Sequence, residues 1–338
     1  MMAPAFKRPE VYLDARYAGR MTYSIVARDG DGRMGVAVQT CVMGVGAICP
    51  WGRAGVGVVA TQAFSLAGYG PRLLDRLAAG ESPAAALGAL AAADERRDQR
   101  QVAVLAADGA TAAFTGSDTI PFAGDVQGDD FSCQANMMAA PGVPEAMRDA
   151  FVASDGPLQR RLLAAMRAAE AAGGDFRGRQ SAALIVVEPG VRDESWEGVA
   201  VDVRVDDDPE PLDRLERLLD VAEAYEAMRA GTAAAKSGDL GEAGRLAQRA
   251  ASLAPHDQNV IGWVAVLRAH AGDLRPLQVI PGALGEVHSA LGGPGRPPLV
   301  VAEQPADALD TSGETARLLD RYYRPVAHIG SVVIYRAR

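Results

Sequence analysis

Alternation of apolar and polar positions sets in at residue 22. The runs "TYSIVAR" and "RMGVAVQTC" are β-rich and joined by "DGDG". The aspartates and glycines of that joint supply the positive φ of a tight turn, so the spacing predicts a hairpin headed by Thr22. A third strand, "GVGVVATQA", follows "PWGRA". The period then lengthens to that of helices in "PRLLDRLAAG" and "SPAAALGALAAADERR", the second with Ser82 as N-cap and Pro83 in its first position. Strands return in "QVAVLAAD", "ATAAFTG" and "FSCQANMMA", then helices in "VPEAMRDAFVAS" and "PLQRRLLAAMRAAEAAGG". A strand pair, "QSAALIVVE" and "EGVAVDVRV", closes the set. Grouped strands and paired helices predict an α+β domain over 21–220, with two helical layers around stacked sheets.

One tempting motif fails on this pattern. Gly55 to Ala60 matches GxGxxA, but a dinucleotide site needs a turn from strand into helix there. Val58 and Val59 continue the strand instead.

Past residue 205 a long helix is expected, with Asp208 as N-cap and Pro209 first. "GDL" occurs at residues 238–240 and again 34 residues later, at 272–274. With Ala243, Ala250 and Pro255, this segment, 221–292, resembles a tetratricopeptide repeat followed by a degenerate second one. Beyond "GGPGRPP", residues 293–338 read as a small strand-helix-strand tail. Residues 1–20 form an extension without an apolar h-region, a propeptide or an over-long start.

Composition changes this picture by exclusion. A net charge of −9 argues against a general nucleic-acid binder. No apolar run is long enough for a membrane helix. Cys41, Cys49 and Cys133 are an odd count without metal spacing and read as buried thiols of a cytoplasmic protein.

The histidines are His256, His270, His288 and His328, and the lysines Lys7 and Lys236. Residues 8–235 therefore offer neither a histidine base nor a P-loop or Schiff-base lysine. A catalytic base in this region is a carboxylate, a metal-bound water or a chain terminus. Asp202 and Asp206–Asp208 are the carboxylates a metal hydrolase would use, although capping explains Asp208 more simply. The alternative is a free α-amine, which titrates near 7.7–8.0 and would give Thr22 its own base. Methionine aminopeptidase removes Met before small residues, so a chain starting at Met21 would expose Thr22. A β-branched residue at a strand start is the plainer account of the same threonine.

The blocks "MTYSIVARDGDGRMGVAVQTC", "VGVVATQAFSLAGYGPRLLDRL", "RQVAVLAADGATAAFTG", "CQANMMAAPGVPEAM" and "GGDFRGRQSAALIVVE" occur in order over about 21–220. They resemble the uncharacterised domain-of-unknown-function family 1028, itself similar to the N-terminal-nucleophile (Ntn) hydrolases. The resemblance implies a four-layer αββα sandwich with Thr22 as nucleophile, and Ser24 as the fallback on the same face. Gln62, Gln134, Asn136, Arg177, Gln180 and Ser181 lie where the family keeps polar residues, and are candidates for oxyanion or substrate contacts. Each is equally suited to satisfying buried backbone groups. The implied activity is an amidohydrolase acting on a small amide or ureido substrate, with no cofactor and no metal. A homo-oligomer, and a protein partner on residues 224–275, are compatible with it. Where family members often carry a lysine after "VAV", this chain has Thr40-Cys41, and its C-terminal third lies outside the resemblance. A catalytically inactive binding or scaffold protein on the same fold is the competing expectation.

Overall fold

The structure, a computed structural model, describes residues 22–119, 122–194, 196–270, 299–302, 314–329 and 332–337. The chain divides into two compact units, one ending at Leu219 and the other beginning at Asp220.

The first unit contains β1 (Thr22–Arg28), β2 (Met34–Thr40), β3 (Pro50–Arg53), β4 (Gly57–Ala63), α1 (Tyr69–Ala78) and α2 (Pro83–Ala92). There follow β5 (Arg100–Ala106), β6 (Thr111–Thr115), β7 (Gly124–Gly128), β8 (Phe131–Asn136), α3 (Val143–Ala153), α4 (Leu158–Ala171), β9 (Ser181–Val187) and β10 (Val199–Val205). An antiparallel sheet runs in the order β10-β9-β2-β1-β8-β7, and a second in the order β3-β4-β5-β6. The β1–β2 turn forms as its composition demands: the Asp29 carboxylate accepts from the Asp31 and Arg33 amides, and Gly32 takes φ 83°.

Two strands of the first unit were not legible in the pattern. The segment "PWGR" is β3, four residues long, with Pro50 at its first position where a missing N–H costs the ladder little. The segment "GDVQG" is β7, composed like a loop but paired along its length with β8.

Alternation along β1 sends Tyr23, Ile25 and Ala27 to one face and Thr22, Ser24 and Val26 to the other. The first set packs on Met147 and Phe151 of α3 and Leu162 and Met166 of α4. On the other face Val26 joins Val36, Val38, Val58, Ala60, Ala103, Leu105 and Val187, which fill the space between the two sheets. The far face of the second sheet carries Val59, Val102 and Val104 against Leu73 and Leu74 of α1 and Ala86 and Leu87 of α2. Full burial stabilises by roughly 1.5–3 kcal/mol for each large apolar side chain. Ser82 caps α2 by accepting from the Ala85 amide. At Gly70 an added Cβ would stand 2.2 Å from the Trp51 ring, so only glycine lets the first turn of α1 lie under that indole.

The helix after β10 starts later than expected: α5 is Pro211–Lys236. A residue before proline is driven out of the helical region, and Glu210 precedes Pro211. Asp208 therefore closes a turn, accepting from the Glu210 amide at 2.8 Å and from Arg214 at 2.9 Å.

In the second unit α5 continues into α6 (Leu240–Leu253) and α7 (Gln258–His270). Ala224, Ala227, Met228, Ala247, Ala250, Val260 and Val264 make their core, and Asp239 caps α6 through the Glu242 amide. The second "GDL" and residues 1–20 lie outside the described residues. The tail has β11 (Leu299–Ala302), α8 (Glu314–Tyr322), β12 (Tyr323–Ile329) and β13 (Val332–Ala337), with strand order β11-β13-β12. The extra strand, β12, begins within "RYYRP", a run that reads as the end of a helix. Among the described residues no helix is long and apolar enough to cross a membrane.

Candidate functional site

Strand register, more than any motif, assembles the polar residues. Ser181 pairs with Thr40, Thr40 with Thr22, and Thr22 with Asn136, so one row crosses β9, β2, β1 and β8. All four are buried, with exposures of 0–2%. They share the face that looks at the second sheet, where Gln62, Gln101 and Thr115 form a matching row across β4, β5 and β6. One layer deeper stand Ser24 and Gln134, also paired and also buried.

The two rows are stitched together by side-chain amides with one consistent orientation. Gln101 Nε2 donates to the carbonyls of Gly124 (3.1 Å) and Ala135 (2.9 Å) and also reaches Thr115 Oγ1 (3.0 Å). Carbonyl oxygens only accept, so Gln101 Oε1 must point the other way, where it receives Gln62 Nε2 at 2.7 Å and Asn136 Nδ2 at 3.0 Å. Gln62 Nε2 and Asn136 Nδ2 also donate to the Thr22 carbonyl, at 3.3 and 3.0 Å. Gln62 Oε1 is then the acceptor for Ser24 Oγ (2.6 Å), which in turn accepts from Gln134 Nε2 (2.6 Å). Ser132 Oγ ends the series on Gln134 Oε1 at 3.1 Å.

This arrangement sorts the sequence candidates. Thr22, Ser24, Gln62, Gln134 and Asn136 converge. Ser24 gives its proton to an amide oxygen, which is not a base. Both N–H bonds of Gln62 and both of Asn136 are engaged within the protein, leaving neither a donor for an oxyanion. Ser181 completes the row, yet its hydroxyl bonds the Val42 carbonyl and accepts from the Val45 amide, bracing the loop after β2. Arg177 folds back on Asp175 at 3.1 Å, and Gln180 bonds Asp207 at 2.9 Å.

Three contributors escaped the sequence pattern. Gln101 is the hub, and its only local sign is a polar residue at an inward position of a strand. Asp175 has a fully buried side chain and accepts from the Cys41 amide at 3.2 Å, tying the loop before β9 to the end of β2. Thr115 passes its proton to Asp125 at 2.9 Å.

The strand ends beside this site are strained. Ala63 follows Gln62 with φ 64°, and Met137 follows Asn136 with φ 54°, both buried. A non-glycine residue there costs on the order of 1–2 kcal/mol. Leaving Ala63 in that conformation aims the Phe64 carbonyl at Arg100, which bonds it. Arg100 is held by Asp94 at 2.9 Å, with Tyr69 donating to the same carboxylate at 3.2 Å. Burial disfavours the Asp94 anion, but the Arg100 hydrogen bond, the Arg96 amide, the Arg100 charge and the Tyr69 hydroxyl outweigh it and hold the pKa below its ordinary value.

On the opposite face of β1, Tyr23 OH (2.7 Å) and Gln39 Nε2 (2.9 Å) both donate to Glu170 Oε2, with Arg179 on the other carboxylate oxygen at 3.1 Å. Burial, then the Glu170 charge, push the Tyr23 pKa well up. Burial likewise pushes Cys49 and Cys41 to about 12, Cys41 also through Asp175, and raises Cys133. These thiols are protonated, and none offers a thiolate nucleophile. Among the described residues no three His, Cys, Asp or Glu side chains cluster to hold a metal. Asp206 pairs with Arg204, Asp207 with Gln180 and Asp208 with Arg214.

The fold and site define a mixed α+β protein whose two antiparallel sheets enclose a buried polar layer. The family described as "Family of unknown function (DUF1028)" matches residues 22–215, and the chain belongs to it. Among solved structures it is similar to the crystal structure of protein SPO2555 from Silicibacter pomeroyi, also of the DUF1028 family. Identity is 35% and the TM-score 0.54, over 59% of this chain and 88% of that one. No curated protein matches.

Proposed function

We propose that the first unit is an Ntn-type amidohydrolase on a four-layer αββα sandwich, with Thr22 as nucleophile and its own α-amine as base. One observation carries the reading: Thr22 heads a central strand inside a buried polar row, in a region without histidine or lysine. The family match also begins at this residue. Ser24 is the weaker nucleophile, since its proton is committed to Gln62.

The step starts once the residues before Thr22 are removed. The neutral amine takes the Oγ1 proton as Oγ1 adds to the carbonyl carbon of a small amide or ureido substrate. The tetrahedral intermediate collapses, and the leaving nitrogen departs with that proton. The acyl ester on Thr22 is then hydrolysed by water, which the same amine deprotonates. No metal or cofactor enters this scheme. The helices of the second unit, read as a tetratricopeptide-like segment, provide a surface for protein contacts.

Intact mass of the protein from its native host, followed by screening of amide and ureido compounds, tests the reading. A chain beginning at Thr22, turnover lost in Thr22→Ala and retained in Thr22→Ser, is expected. Alanine at this position still permits removal of a preceding Met, so that variant isolates the hydroxyl. A mature chain beginning at residue 1 or 2, or full activity in Thr22→Ala, overturns it.

A further inference from the structure

The amide of Asn136 is satisfied on one side only. Nδ2 uses both hydrogens, on the Thr22 carbonyl and on Gln101 Oε1. Oδ1 has no partner, although it is shut off from solvent. Turning the amide round would set Oδ1 against two acceptors, so the orientation is fixed. Native proteins rarely leave such a buried acceptor without a donor.

The residue across the ladder from Asn136 is Thr22. Removal of the chain ahead of Thr22 replaces one peptide N–H by an amine with two hydrogens, or three when charged. Processing therefore adds donors to the residue paired with Asn136, whose Oδ1 lacks one. We infer that Asn136 is the positioning residue for the Thr22 α-amine, its Oδ1 accepting an amine hydrogen and so fixing the direction of the nitrogen lone pair. This rests on the reading of Thr22 as a mature N-terminus. It also gives Asn136 a different part from the oxyanion donor expected of it: it faces the base, not the substrate oxygen.

A hydrogen bond to the charged amine favours the charged form, so its loss lowers the amine pKa. The test uses the mature chain and the pH dependence of Thr22 acetylation by acetic anhydride, read by mass spectrometry of the N-terminal peptide. Asn136→Leu should lower the amine pKa by about one unit. Ser132→Ala, which removes the remote end of the network, should leave it unchanged. An unmoved pKa in Asn136→Leu overturns the inference, as does an equal shift in both variants, which would mark general damage to the network. If Asn136→Leu does not fold, a crystal structure of the mature wild-type chain decides. Thr22 nitrogen within about 3.2 Å of Oδ1 supports the bond, and a water or another donor in that place overturns it. A mass beginning at residue 1 or 2 defeats both this inference and the proposed function. A chain beginning at Thr22 with an unmoved pKa defeats this inference alone.

Discussion

The space between the two sheets has two ends built largely from the same strands. Toward the β1–β2 turn it is filled by Val26, Met34, Val36, Val58, Leu105 and Val187. At the other end four of those strands present Thr22, Thr40, Gln62 and Gln101, joined by Asn136 of β8, and all are at most 2% exposed. Apolar packing is non-directional and tolerates small shifts, whereas every amide at the polar end has one allowed orientation. A stable core did not require this, because replacing a satisfied buried polar set by apolar side chains of the same shape is often neutral or stabilising. The contrast sets a directional, oriented polar layer at the end where Thr22 stands.

The comparison can be broken from either end, and the largest effect is expected at the hub. Gln101→Leu strands the Gly124 and Ala135 carbonyls and leaves Gln62 and Asn136 donors without their acceptor. It should destabilise by about 4 kcal/mol in urea unfolding. At the apolar end Leu105→Ala should cost about 3 kcal/mol by loss of transfer energy and cavity formation, while leaving acetylation of Thr22 unaltered. A smaller loss, about 2 kcal/mol, is expected from Asp94→Asn, which loosens the clamp on Arg100 beneath the polar end. That difference carries a pH signature. The folded-state pKa of Asp94 is depressed, so its contribution is present above the unfolded value of about 3.9 and disappears as pH falls through the lowered folded value. Unfolding curves should show a constant gap between wild type and variant from about pH 5 to 8, closing below about pH 4.

How much of this was legible depended on the range of the interaction. The hairpin, the Ser82 cap and the alternation of β1 are local, and each is written in a few adjacent residues. Thr22, Gln62, Gln134 and Asn136 stood out because polar side chains interrupt apolar strands. Gln101 did not, because its importance comes from lying opposite Gln62 in one sheet and facing Asn136 in the other, pairings separated by 39 and 35 residues. Arg177 and Gln180 drew notice by composition, and the partners shown for them are the carboxylates of Asp175 and Asp207. Strands β3 and β7 were hidden by their Gly, Pro and Asp content, and their neighbours β4 and β8 supply the pairing that propensity does not.

The orientation of the amide series has a further consequence. It is set by two main-chain carbonyls, and its links around Thr22 are amides and hydroxyls without a titrating group near neutrality. Between about pH 5 and 9 its dipoles keep their direction. The lining of the Thr22 site thus behaves as a constant electrical background. On the proposed mechanism, any bell or slope in the rate then belongs to the Thr22 amine and the substrate.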